Sequence, residues 1–136
     1  LLGLDLGEKT IGLALSDPGL SVASPVSTIR RTKFTADAKE LLKLVAERQV
    51  GGLVIGLPLN MDGTEGPRCQ SVRQFAANLL KLQDLPILFW DERLSTVAVE
   101  RNMIDADLSR AKRAKVVDQA AAAFILQGVL DSLHRA

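Results

Sequence analysis

Acidic residues stand at three places where an apolar framework leaves little room for charge. Asp5 lies inside the apolar run 1–6, Asp91 and Glu92 follow the run 86–90, and Asp118 opens the apolar segment that begins at Val116. A carboxylate buried without compensation is costly, so each of these acids needs a cation or hydrogen-bond donors. In an extended segment Asp5 shares a face with Gly3 and Gly7, whose missing side chains leave room, while Leu2, Leu4 and Leu6 take the other face. Glu92 follows a strand, where α/β sheets gather ligand groups. Asp118 falls on one helical stripe with Ala122, Ile125, Leu126, Val129 and Leu133, so it is expected to face the sheet. Three carboxylates converging without His or Cys form a hard oxygen donor set suited to Mg²⁺ or Mn²⁺. Two such ions, about 3.5–4 Å apart, are the arrangement that activates water for phosphodiester hydrolysis. Each acid also has an ordinary alternative: Asp5 pairing with Lys9, Glu92 pairing with Arg93 in a surface turn, and Asp118 favouring a helix start.

Arg110, Lys112, Arg113 and Lys115 precede Asp118. As a solvated helix face they need no function; beside a metal ligand they would hold phosphates.

Several classes are excluded by what the chain lacks. One cysteine, Cys69, rules out an internal disulfide and a cysteine-based zinc cluster, and is read as a helix-face residue without redox duty. The single histidine, His134, is placed on a solvated helix end, which argues against a His-based metal site or a Ser-His-Asp triad. Trp90, beside Asp91, is read as packing rather than as a base-stacking platform. No apolar run reaches the ~20 residues of a membrane span. The expectation is a cytoplasmic protein with no membrane partner, with no signal peptide in view, although the chain starts at Leu1 rather than Met. The 136 residues are 47% apolar and 24% charged with net charge +1, which fits one domain, residues 1–136, with an aliphatic core.

These residues must be positioned by an alternating framework. Residues 1–6 and 11–16 read as a hairpin, and 22–29 as a third strand whose Pro25 favours an edge or a bulge. A helix is expected from Thr35 to Arg48, with Ala38, Leu41, Leu42 and Val45 inward and Gly51-Gly52 ending it. The run 53–57 suits a strand covered on both faces. Residues 58–67 form a loop, and a helix over 68–82 follows, with Val72, Phe75, Ala76, Leu79 and Leu82 inward. A strand at 86–90, a helix capped by Ser95 or Thr96 and ending near Met103, a polar basic stretch 109–115 and a helix 116–133 complete the order. A three-stranded meander followed by alternating strands and helices is a mixed α/β sheet with helices on its faces.

The segments LGLDLGEKTIGLALSD, VIGLPLNMDGTEGP, DERLST and VVDQAAAAFIL, in this order and spacing, resemble the bacterial YqgF/RuvX family over nearly the whole chain. That resemblance implies a ribonuclease H-like fold close to RuvC-type Holliday junction resolvases. It implies Asp5, Glu92 and Asp118 as the catalytic, metal-binding acids, leaving the role of Asp91 open. It further implies a substrate cleft lined by Asn60 and Gly63, with Arg93, Ser95 and Thr96 supporting Glu92 or touching phosphate. One departure stands out: Thr10 occupies the place just before Ile-Gly where the family usually has a base, and Lys9 comes one position earlier.

The expected activity is metal-dependent nuclease action on structured RNA, with maturation of the pre-16S rRNA 5′ end as the implied role. Resolution of Holliday junctions in branched DNA is the alternative, and would favour a homodimer over a monomer. A phosphotransferase of the actin-like kind shares the fold core but closes two lobes around its nucleotide, and 136 residues hold one. A non-catalytic nucleic-acid-binding domain would not need to keep all three acids.

Overall fold

Leucines alternating with glycine and aspartate give β1 (Leu2–Leu6) two unlike faces, and the computed structural model builds a different layer on each. The structure describes residues 1–94 and 110–135, with side chains for 1–93 and 119–134. The expected helix after Ser95 and Thr96 therefore lies outside the described residues.

β1 pairs antiparallel with β2 (Thr10–Ser16), which pairs antiparallel with β3 (Ala23–Arg30). On its other side β1 runs parallel to β4 (Leu53–Leu57), and β4 parallel to β5 (Ile87–Asp91), giving the sheet order β3-β2-β1-β4-β5. Pro25 has both features expected of it. β3 is an edge strand, and the register slips between Leu13, opposite Ser27, and Ala14, opposite Pro25, leaving Val26 as the extra residue of a bulge.

Helices α1 (Phe34–Glu47) and α2 (Pro67–Leu82) cover the face carrying Leu2, Leu4, Leu6, Leu53 and Ile55. The long helix α3 (Arg110–Arg135) covers the opposite face, packing Ala122, Ile125, Leu126 and Val129 against Ala14 and Val54. All five residues of β4 are buried, as an apolar run between two layers requires. Trp90 packs into the α3 layer and Cys69 is fully buried in the other.

Several boundaries depart from expectation for identifiable reasons. α3 begins at Arg110, six residues before the expected start at Val116. The Arg-Ala-Lys-Arg-Ala-Lys stretch has no apolar stripe, but these residues are among the best helix formers. Asp118 is thus in the third turn of the helix rather than at its start. Leu133 is exposed, because the end of α3 overhangs the β2–β3 turn, where Gln127 and His134 make polar contacts. His134 is exposed but engaged: its Nε2 donates to the Leu20 carbonyl at 2.8 Å. Leu82, in the last turn of α2, is also exposed. α1 is closed by Gln49 at φ 53°, not by Gly51-Gly52, with Val50 N–H donating to Val45 O at 2.9 Å.

Candidate active site

Three glycines surround Asp5 on the α3 face. Gly3 lies two residues before it on the same strand, and Gly12 is its cross-strand partner on β2. Gly56 lies level with it on β4, one step beyond the Leu4–Ile55 pair. The carboxylate itself is only 3% exposed. Lys9 is exposed in the β1–β2 turn.

The glycines do different work. At Gly3 the space is taken by α3: a Cβ there would stand 2.8 Å from Leu126 Cβ and 3.0 Å from the Ala122 carbonyl. At Gly56 it is taken by the side chain of Glu92: a Cβ there would meet Glu92 Oε1 at 2.7 Å. Glu92 follows β5, two strands from β1, and neighbouring strands are about 4.8 Å apart. By lying over Gly56 its side chain spans part of that gap on the face that carries Asp5.

The path of α3 fixes where Asp118 falls. Gln127 accepts from Ala23 N–H at 2.9 Å and donates to the Ser21 carbonyl at 2.8 Å. Ala23 is opposite Ser16, whose N–H donates to Leu1 O. The C-terminal half of α3 therefore lies over the start of β1, and the helix runs antiparallel to that strand. Asp118 is one turn, about 6 Å, before Ala122, which sits over Gly3. Asp5 is two residues, about 6–7 Å, beyond Gly3 in the opposite chain direction. Backbone position 118 thus comes level with Asp5; its side chain is outside the described ones. Among the described residues no three metal-ligating side chains cluster.

Arg93 pairs with Asp91 rather than with Glu92. Its Nη2 lies 2.8 Å from Asp91 Oδ2, its Nε donates to both oxygens at 3.1 Å, and its Nη1 donates to the Met61 carbonyl at 3.1 Å. The guanidinium lies against Gly63, which sits at φ 89°. Asp91 is therefore the anchor of a clamp between the end of β5 and the loop 58–66. Within that loop the Asn60 amide donates to Thr64 Oγ1 at 3.0 Å, and Thr64 Oγ1 donates to Asp62 at 2.6 Å. Asn60 and Gly63 thus shape the loop. Ser95 and Thr96 lie outside the described residues. Arg110, Lys112, Arg113 and Lys115 occupy the first two turns of α3, with side chains outside the described ones.

The loop is held by ionised carboxylates. Hydrogen bonds from Arg93 hold Asp91 below the usual carboxylate range, those from Thr64 do so for Asp62, and Arg73 does so for Glu65. A folded-state pKa below the unfolded value stabilises fully above the unfolded pKa of about 4, and that contribution is lost as pH falls through the lower folded value. Amide-exchange protection at Gly63 and Thr64 should therefore stay level from neutral pH to about 5 and fall below about 4. Asp91→Asn should lower protection already at neutral pH and make the acid-side fall shallower. A loop with unchanged exchange in that variant would show that the clamp holds nothing.

Among comparisons with known proteins, the model of the family described as "RuvX: Holliday junction resolvase" matches residues 1–132. The chain belongs to the RuvX family. It is 67% identical to a protein of Paramagnetospirillum magneticum named "Putative pre-16S rRNA nuclease", over 97% of this chain and 85% of that one. A protein of the same name from Rhodospirillum centenum is 66% identical over 99% of this chain and 74% of its own. In three dimensions this RuvX chain is similar to Thermus thermophilus RuvC, solved with a Holliday junction substrate. The TM-score is 0.62 at 11% identity, covering 99% of this chain and 95% of the other. The Fowlpox virus resolvase, solved with Holliday junction DNA, gives a TM-score of 0.55 at 11% identity, with 97% of each chain covered. The fold is thus the RuvC-like, ribonuclease H-like resolvase fold, with the expected mixed sheet and helices on both faces.

Sequence reasoning singled out Asp5 and Glu92 but did not assign a role to Gly56. A glycine within an apolar strand signals close approach by another group, and that signal was present in Val-Ile-Gly-Leu.

Proposed function

We propose that this RuvX protein is a nuclease that hydrolyses phosphodiester bonds with Mg²⁺ or Mn²⁺, and that its cellular reaction is maturation of the pre-16S rRNA 5′ end. The observation that carries this reading is the side chain of Glu92 lying over Gly56, on the face and at the level of the buried Asp5. The names of its close relatives support the substrate.

Asp5, Glu92 and Asp118 would hold the metal, and an all-oxygen donor set fits a hard divalent cation. Ions bound there supply an activated water and stabilise the leaving oxygen. The chain's own residues do the positioning. Burial of Asp5 beneath α3 excludes bulk water and strengthens its interaction with a cation. The Asp91–Arg93 clamp fixes the start of the turn that carries Glu92. Arg110, Lys112, Arg113 and Lys115 would hold phosphates beside the acids, and Lys9, Asn60, Gly63, Ser95 and Thr96 would line the path of the strand. The basic run opens α3, where cations oppose the helix dipole by about 0.3–1 kcal/mol each, so its helix propensity is gained against an unfavourable placement of charge.

Cleavage of Holliday junctions is the second reading, favoured by the family's description and by the fold shared with RuvC. The test is to offer precursor rRNA and a four-way DNA junction side by side, with Mg²⁺ or Mn²⁺ and with Asp5→Asn as control. Trimming of the RNA by a monomer supports the first reading. Symmetric cuts in the junction by a dimer support the second. If neither substrate is cut faster than by the control, both readings fail.

A further inference from the structure

On the opposite side of the sheet from Asp5, the end of β1 opens into a cleft of about 500 Å³. Leu6 and Gly7 form its floor, Arg31 and Thr32 close it beyond β3, and Arg68 and Ser71 face it from the first turns of α2. Arg31 and Arg68, from separate segments of the chain, both line it. Elsewhere Arg73 is paired with Glu65 and Arg93 with Asp91, but neither Arg31 nor Arg68 has a carboxylate partner among the described residues. Arg31 is held in place without being neutralised: its Nη1 donates to the Gly7 carbonyl at 2.7 Å, and its guanidinium lies 5.9 Å from the Phe75 ring centroid. A guanidinium has five donors, so most of its capacity stays available. Glu8 is also on the rim, which leaves a net positive balance among the three charged side chains.

We infer that this cleft is a phosphate-binding subsite, which takes a phosphodiester of the nucleic-acid strand flanking the one at Asp5 and Glu92. The inference rests on the nuclease reading above. Its geometry follows from β1: Gly7 lies two residues, about 6–7 Å, past Asp5, so the acids and the cleft share the same end of the sheet. A strand laid across that end meets the carboxylates from the α3 face and the arginines from the α1–α2 face. Fork-shaped donors suit phosphate oxygens, and contacts of this kind set position without reading sequence.

The test is a binding measurement, in the Asp5→Asn background so that no cleavage occurs. Fluorescently labelled single-stranded RNA is titrated at several salt concentrations against that protein, against the same protein carrying Arg68→Gln, and against one carrying both Arg68→Gln and Arg31→Gln. Arg68 has no ion-pair partner among the described residues, so its substitution should leave Tm unchanged, whereas Arg31→Gln also removes the tie to Gly7. Arg68→Gln should weaken binding about 3- to 10-fold at low salt and flatten the slope of log K against log salt by about 0.7. The double variant should lose more of both. Binding and slope unchanged in Arg68→Gln, while the parent protein binds RNA, overturn the cleft and leave the nuclease reading standing. A parent protein that binds no RNA overturns the RNA-processing reading, and the strand-binding role of the cleft with it. Inorganic phosphate or a mononucleotide that binds through Arg68 while RNA affinity ignores the substitution shows a small-molecule site, and also overturns the strand-binding role.

Discussion

Replacing Asp5 by Asn should remove cleavage, by about 10³-fold or more, while the protein stays folded. Stabilisation of transition-state charge by a bound metal is worth several kcal/mol, and each 1.4 kcal/mol is about tenfold in rate. Asn keeps the shape of Asp but gives up the charge that would hold the cation. The position tolerates an isostere: it is bounded by glycines on three sides, and Asp5 is not part of the apolar layer of Leu2, Leu4 and Leu6. A second readout separates metal binding from catalysis. Mg²⁺ or Mn²⁺ at saturating concentration should raise Tm of the unmodified protein, since a ligand bound only by the folded state stabilises by mass action. The same titration should have little effect on Asp5→Asn. Equal metal-induced shifts in both proteins, or equal cleavage rates, would remove Asp5 from the site.

The second expected result concerns a residue with no side chain. Gly56→Ala should lower cleavage about 100-fold at a cost in stability of only about 1–2 kcal/mol. A methyl group at 56 would stand 2.5 Å from Ile125 Cδ1 and 2.7 Å from Glu92 Oε1. Both are ends of side chains that can turn away, so the fold survives. Glu92 cannot turn away and still lie over β4, and a displacement of about 1 Å is enough for a large loss in rate. Gly3→Ala supplies the contrast. There the obstacles are Leu126 Cβ and the Ala122 carbonyl, parts of α3 that move only with the helix. It should lower Tm by more than Gly56→Ala does, and its activity should fall less per unit of stability lost. Thermal melts and metal-dependent cleavage on the same preparations read both effects. Wild-type rates in a folded Gly56→Ala protein would mean that the position of Glu92 does not govern the chemistry.

Much of this molecule is legible in its sequence because neighbours along the chain encode it. Leu2, Leu4 and Leu6 against Gly3 and Asp5 define the two faces of β1, and the apolar run 53–57 marks a strand buried on both sides. Pro25 announces its edge and bulge. The apolar stripe of Ala122, Ile125, Leu126 and Val129 names the buried side of α3. Where no periodicity exists the reading failed: the basic turns at the start of α3 carry helix propensity but no stripe.

What only the tertiary structure decided are pairings between distant segments. The register of β1 with β4, and of β4 with β5, joins residues about 50 and 35 positions apart, and that register brings Glu92 over Gly56 beside Asp5. The partner of Arg93 had two neighbouring acids to choose between, and packing of the loop at Met61 favoured Asp91. That Arg31 and Arg68 line one cleft depends on where α2 settles against the end of β3. Local pattern assigns each residue to a face, whereas only the summed packing of both layers sets which residues meet at the end of the sheet.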